Sequence, residues 1–155
     1  MLSAVPDSGP LIHLNEINQI NLLNLFDILT VPTSVAEEVG ELIFKNIKIA
    51  NVSEKDKEFI KLIRKFKLQQ AEIDALYLAY SKNSMLLTDD LEARDAARHI
   101  GVEVHGSLGI ISMAYKKQTI NLAEAKRFIF DLYHISTLFL TKSLVDLAID
   151  KLEKS

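Results

Sequence analysis

The sequence predicts an α/β fold: a three-layer α/β/α sandwich around a short parallel sheet of about five strands, followed by C-terminal helices. Three observations predict it. Apolar runs of roughly four to six residues alternate with segments of helical period, the pattern of parallel strands covered on both faces. No internal repeat, low-complexity tract or Gly/Ser linker divides the 155 residues, a length that suits one domain with a sizeable core. From Leu108 onward the strand pattern disappears and only helical periodicity remains. The chain therefore reads as a single domain over 1–155, in which 119–155 is a helical extension.

The elements follow in order. Leu2 to Val5 reads as a short buried strand. Ser8 to Phe26 reads as helix with a break near Asn15 to Asn18, its apolar positions including Leu11, Leu14, Leu22 and Phe26. Ile28 to Pro32 is a second strand, stopped because proline cannot donate to a ladder. Thr33 or Ser34 caps a helix expected to run through Phe44, Ser34 and Glu37 having capping-box spacing. Ile47 to Val52 is a third strand, and Ser53 opens an amphipathic helix with Phe59, Leu62, Ile63 and Phe66 at helical spacing. Ala71 to Lys82 is another helix and Met85 to Thr88 a fourth strand. Asp90 to Ile100 is a helix ended by Gly101, and Val102 to Val104 a fifth strand. The remaining helical stretch breaks near Thr119 and Ser136.

Composition narrows the function classes. Apolar residues at 48% and charged residues at 25% describe an ordinary globular chain, not a disordered one. A net charge of -3 offers no global positive field for nucleic acid, so such binding needs a local patch. The absence of cysteine excludes disulfides and thiolate metal sites and fits a reducing cytoplasm, which is the expected location. No basic stretch precedes a long apolar run at the N-terminus, and no run approaches the roughly 18 residues of a membrane span, so neither a signal peptide nor a membrane association is expected.

In an open parallel sheet, ligands bind beyond the carboxyl ends of the strands, where strand order reverses. Acids stand at such positions. Asp7 follows the first strand, and Asp89 and Asp90 follow the fourth. If these strands are neighbours, the acids face one crevice. Two helices add more. In "VAEEVGELI", Glu38 falls beside Leu42 at the edge of the stripe Val35, Val39, Leu42 and Ile43, whereas Glu37 points away. In "AEIDALYLAY" the only charged groups are Glu72 and Asp74; burying Asp74 requires a pair or a metal. Each acid also has a bland reading. Asp7 suits a helix cap, Asp89 with Glu92 has capping spacing, Thr88 is another good cap, and Glu38 alone suits a boundary position. The set weighs differently. No basic residue adjoins these acids in sequence, and several carboxylates sharing a crevice raise one another's pKa. A divalent cation resolves the repulsion, and all-oxygen ligation selects Mg²⁺, Mn²⁺ or Ca²⁺ over zinc.

The ordered motifs resemble the PIN-domain family over most of the chain up to about Lys117. Asp7-Ser8 is similar to the family's first acid before a small hydroxyl residue, and Glu38 in "PTSVAEEV" to its second. Asp74-Ala75 is similar to the third, and Thr88-Asp89-Asp90 to the Thr-x-Asp-like strand end. The segment from Ala71 to Ile111 looks like an archaeal and bacterial subgroup, although its usual Gly-Glu-x-Glu-Ala is replaced by Gln70-Ala71-Glu72-Ile73-Asp74-Ala75 and Pro6 is unusual before the first acid. The resemblance implies VapC-like chemistry: Mg²⁺- or Mn²⁺-dependent cleavage of RNA phosphodiesters. It implies metal ligation by Asp7, Glu38, Asp74 and Asp90, with Asp89 as the alternate to Asp90. Ser8 and Thr88 then serve as hydrogen-bonding partners of a ligating carboxylate, a bound water or the scissile phosphate.

Other features are weaker. The four histidines, His13, His99, His105 and His134, read as surface or boundary residues, and no Ser/His/Asp triad is evident. Lys57, Lys61, Arg64 and Lys65 form either a solvated face or a backbone-contacting patch; Arg94 and Arg98 are either a second such patch or ordinary i,i+4 partners of Asp90 or Asp95. The stripes Ala125, Phe128, Ile129, Leu132 and Leu144, Val145, Ala148, Leu152 complete the core, build a homodimer face, or form a groove for an antitoxin helix. The expected function is a ribonuclease toxin, homodimeric, with RNA as substrate and an antitoxin as partner. Its rivals are a PIN-like RNA- or protein-binding module without catalysis, and a small-molecule or receiver-like α/β domain.

Overall fold

The computed structural model describes residues 1–40 and 47–155. Five parallel strands form one sheet in the order β3-β2-β1-β4-β5: β1 (Ser3–Pro6), β2 (Ile28–Pro32), β3 (Ile47–Ala50), β4 (Met85–Leu87) and β5 (Val104–His105). The chain steps outward from β1 to β3, then returns to add β4 on the other side of β1. The reversal therefore falls between β1 and β4, where Pro6 pairs with Leu87. Neighbouring residues Ala4 and Val5 of β1, and Leu86 and Leu87 of β4, are all buried, so both faces of the central strands are covered. This is the three-layer α/β/α sandwich that the alternation predicts.

The helices are α1 (Ser8–Glu16), α2 (Thr33–Val39), α3 (Lys57–Ile63), α4 (Gln70–Lys82), α5 (Leu91–His99), α6 (Ser107–Lys116), α7 (Leu122–His134) and α8 (Lys142–Glu153), with a 3₁₀ segment at Ile20–Leu25. The break expected after Asn15 is made by Asn18, which takes φ 60° and ends α1. Helix α4 packs across β1, β2 and β4; Leu76 is fully buried, and the buried Ala75 and Ala79 are small enough to let the helix backbone lie close. Helices α7 and α8 pack on each other and reach the main core through α6. Phe128, Ile129, Leu132, Val145 and Leu152 join the same buried cluster as the sheet. Each fully buried Leu, Ile or Phe there contributes about 1.5–3 kcal/mol of transfer free energy.

Local differences from the sequence reading have local causes. Helix α2 starts at Thr33 with Pro32 before it, so Ser34 lies inside the first turn and does not cap; its hydroxyl is drawn to Asp74. The expected continuation of α2 through Phe44, with Leu42 and Ile43 on its stripe, lies outside the described residues. Helix α3 begins at Lys57 rather than Ser53, and Leu62 of its expected apolar stripe is exposed, as are all four of its neighbouring cations Lys57, Lys61, Arg64 and Lys65. The fifth strand is shifted to Val104–His105, because Gly101 takes φ 78° and Val102 closes the end of α5 by bonding back to Ala97. No described helix is long and apolar enough to cross a membrane.

Candidate metal centre

The carboxyl ends of β1 and β4 open into a crevice of about 330 Å³. Asp7 sits at its floor, one residue past β1. Its backbone N–H still belongs to the sheet, donating to Leu87 at 2.8 Å, so the strand fixes where the side chain emerges. The carboxylate then caps α1, accepting from the Ser8 N–H at 2.8 Å. Its other oxygen accepts from the Thr88 hydroxyl at 3.1 Å. Thr88, fully buried after β4, itself accepts from the Asp90 N–H at 3.2 Å, which ties the ends of the two strands together. Asp90 caps α5, accepting from the Ala93 N–H at 2.8 Å, and its side chain lines the same crevice. Glu38, one turn beyond Ser34 on α2, completes the opposite wall and accepts a long 3.4 Å bond from the Ser8 hydroxyl.

The structure therefore brings Asp7, Ser8, Glu38, Asp89 and Asp90 onto one cavity, with Thr88 behind them. It does not bring Asp74 there. Asp74 is 6% exposed, and its carboxylate meets Lys55 Nζ at 2.7 Å, the Ser34 hydroxyl at 2.6 Å and the Gln70 amide at 2.9 Å. Burial raises its pKa, but Lys55, Ser34 and Gln70 together pull it below the usual carboxylate range. The acid that α4 presents to the crevice is Glu72 instead. Residues two apart on a helix point about 200° apart, so only one of the pair faces any one cavity. The capping box Gln69–Glu72 sets the phase: Glu72 accepts from the Gln69 N–H at 2.8 Å at the first turn, where α4 borders the crevice.

Asp89 lines the crevice too, but its carboxylate is taken up by other partners. It accepts from the Ser107 N–H and hydroxyl, both at 2.6 Å, and faces His13 Nδ1 at 2.7 Å. These partners hold the carboxylate as a bracket between α1 and α6; both acids of the pair line the crevice, and Asp90 is the one not held by His13 and Ser107. Gly106 makes the bracket fit: a Cβ there would lie 2.7 Å from Asp89 Oδ1. His13, read from sequence as a surface or boundary residue, lines the crevice. The available signal was its position one turn after Gly9, since both face Asp89 along α1.

Electrostatics distinguish this crevice from the rest of the protein. Burial raises the Asp7 pKa above its ordinary value, against the Ser8 N–H and Thr88 hydroxyl, with the Glu38 and Asp90 charges adding to the rise. Glu72 is pushed up from 4.5 to about 7, first by burial and then by Asp90 and Asp7, to which a protonated Glu72 is a neighbour. Among the described residues no lysine or arginine lines the cavity. The oxygen donors, the uncompensated charge and the shared cavity fit a hard divalent cation. Among the described residues no three such side chains are already arranged as ligands, so the fit lies in donor type and charge rather than in a preformed shell.

Fold and crevice define a class: a parallel-sheet α/β protein with clustered carboxylates at the strand-order reversal. The chain belongs to the PIN-domain family, whose description matches residues 3–154. PIN domains are typically nucleases that use divalent metal ions. Among solved structures, the chain is similar to a PilT N-terminus domain protein from the hyperthermophilic archaeon Sulfolobus solfataricus P2, with 16% identity over 73% of this chain and 93% of that one, and a TM-score of 0.49. No curated protein matches the chain.

Proposed function

We propose that the protein is an Mg²⁺- or Mn²⁺-dependent endoribonuclease that hydrolyses RNA phosphodiester bonds, with Asp7, Glu38, Glu72 and Asp90 as its metal-holding acids. The observation that carries this reading is the convergence of five acids on one cavity, four of them besides the His13-paired Asp89, with no lysine or arginine lining it among the described residues. Family membership supports nuclease chemistry. A cation bound there supplies charge neutralisation at the phosphate and a more acidic attacking water. The chain's own residues do the rest. Asp7 is pre-oriented by the Ser8 N–H and Thr88 hydroxyl, so its position is held before any ligand arrives. Glu72 and Asp90 share their negative field, and Glu72 holds a proton near neutral pH until that field is offset. Ser8 stands between Asp7 and Glu38 with a hydroxyl able to turn toward a phosphate oxygen.

The toxin role, with an antitoxin partner and a homodimeric assembly, extends the same proposal and rests on the resemblance to VapC-like proteins. The test of the catalytic reading is a comparison on α4. Glu72→Gln should reduce Mn²⁺-dependent cleavage of single-stranded RNA at least tenfold and weaken Mn²⁺ binding by calorimetry, whereas Asp74→Asn should change cleavage less than threefold. No Mn²⁺ binding at millimolar concentration in the unmutated protein would end the nuclease reading.

A further inference from the structure

Beside the acidic crevice lies a second cavity of about 530 Å³, enclosed by α5, α6, α8 and the segment between α7 and α8. Its size falls within the roughly 300–1,000 Å³ typical of small-molecule sites. It is continuous with the crevice, because Asp89, Leu138 and Phe139 line both. Its character is the opposite. Leu91, Leu144 and Leu147 give it apolar walls although each is exposed, Leu91 at 76%. Phe139, at the shared rim, is 86% exposed, an unusual position for a phenyl ring that nothing covers. Its cations are Arg94 and Lys151. Arg94 has its Nε buried without a hydrogen-bond partner, and its Nη1 converges with Asp89 Oδ1 on the space beside Gly106. The Nε itself is closed to solvent, but Arg94 lines the cavity, so its guanidinium is placed to meet an acceptor there.

The geometry points to this second cavity as a nucleobase subsite, which receives one unstacked base of an RNA strand whose adjoining phosphate lies over the acidic crevice. This rests on the ribonuclease reading and adds how the strand is held. A base supplies what each feature lacks. Its flat face covers Phe139, its edge offers acceptors to Arg94, and the following phosphate meets Lys151 at the rim. The pairing also answers a charge problem. An acidic crevice in a protein of net charge -3 repels a phosphate backbone, and the adjoining cations and aromatic ring provide the attraction that it cannot. A second protein copy or a peptide would also cover an apolar face; the base is favoured because the cavity's own cations, Arg94 and Lys151, suit the acceptors and phosphate of a nucleotide.

The experiment is an abasic scan. Fluorescein-labelled single-stranded RNA decamers, each lacking one base, are bound to the full chain in Ca²⁺ and followed by anisotropy. One abasic position should weaken binding by about 5- to 150-fold, the loss of one stacked base. Phe139→Ala should weaken the intact decamer by a similar factor and become insensitive to that position. Arg94→Met should flatten differences among the four bases there. A flat scan, or no saturable binding, overturns the subsite; so does a Phe139-dependent dimer in sedimentation combined with a flat scan, which assigns the face to a second copy. Because the assay needs no cleavage, a positive scan beside an inactive enzyme would reject the nuclease reading alone, and cleavage beside a flat scan would reject the subsite alone.

Discussion

Asp7 and Asp74 are buried to almost the same depth, 5% and 6% exposed, yet their pKa values move in opposite directions. Around Asp74 the chain brings its own cation, Lys55, and two neutral donors. Around Asp7 it brings two neutral donors and a cavity lined by four further acids. Burial alone raises both groups. What differs is compensation. A compensated carboxylate is part of the fold, whereas an uncompensated cluster is a demand for something outside it.

The contrast can be broken most sharply at Asp7. Asn caps a helix about as well as Asp, so Asp7→Asn should fold and melt at or slightly above the parent temperature while RNA cleavage falls by orders of magnitude. Full activity in Mn²⁺ would reduce Asp7 to a cap and erase the difference between the two acids. A smaller effect, on stability instead of turnover, is expected at the compensated site. Lys55→Met leaves Asp74 buried with only Ser34 and Gln70, and should cost about 3 kcal/mol by urea denaturation. Replacing both partners, Lys55→Met with Asp74→Leu, should recover most of that loss. An unchanged unfolding midpoint in the single variant would show that the pair contributes nothing to the fold.

The smallest effect sharpens the comparison through pH. Glu72 has a folded pKa near 7 against 4.5 when unfolded. The folded state therefore binds that proton more tightly, so this contribution to stability is present below about 4.5 and is lost as pH rises through about 7. Asp74 runs the other way: its contribution is present above its ordinary value and is lost as pH falls through its lowered one. In EDTA, the melting temperature should decline between pH 5 and 8 by a few degrees. Glu72→Gln should flatten that decline, and Mn²⁺ should abolish it. A decline that persists in Glu72→Gln would move the titration to another group.

Much of this was legible in the sequence, for identifiable reasons. The period of apolar runs gave the strands within about two residues, and Pro32, Gly101 and Asn15–Asn18 marked real stops. The position of Asp7 and Asp90 after strands placed them at the reversal without any contact being known. What failed was non-local. No basic residue adjoins Asp74 in sequence, but Lys55 reaches it from the segment before α3, and Ser34 reaches it from α2. The choice between Glu72 and Asp74 depended on helix phase, and the resemblance pointed to the acid before Ala, whereas the capping box at Gln69 turns Glu72 toward the crevice. His13 and Asp89 meet across 76 residues, which no spacing argument reaches. Ser107, which anchors Asp89, is invisible to motif reading for the same reason.

The strand order also sets when the crevice can exist. Asp7 meets Thr88 across 81 residues, and β1 stands beside β4 only after the whole β2–α4 excursion has been made. The loop-closure cost rises only as about (3/2)RT ln n, so the delay is one of synthesis and topology more than of thermodynamic expense. A ribosome adds roughly 5–20 residues each second. A nascent chain therefore spends several seconds with Asp7 exposed and no opposing wall. An incomplete product, whether stalled or clipped before Asp90, carries β1 and β2 but cannot assemble the full set of crevice acids. On the ribonuclease reading, such fragments are harmless to the messenger that encodes them, and the topology itself delays the activity until β4 and Asp90 have been made.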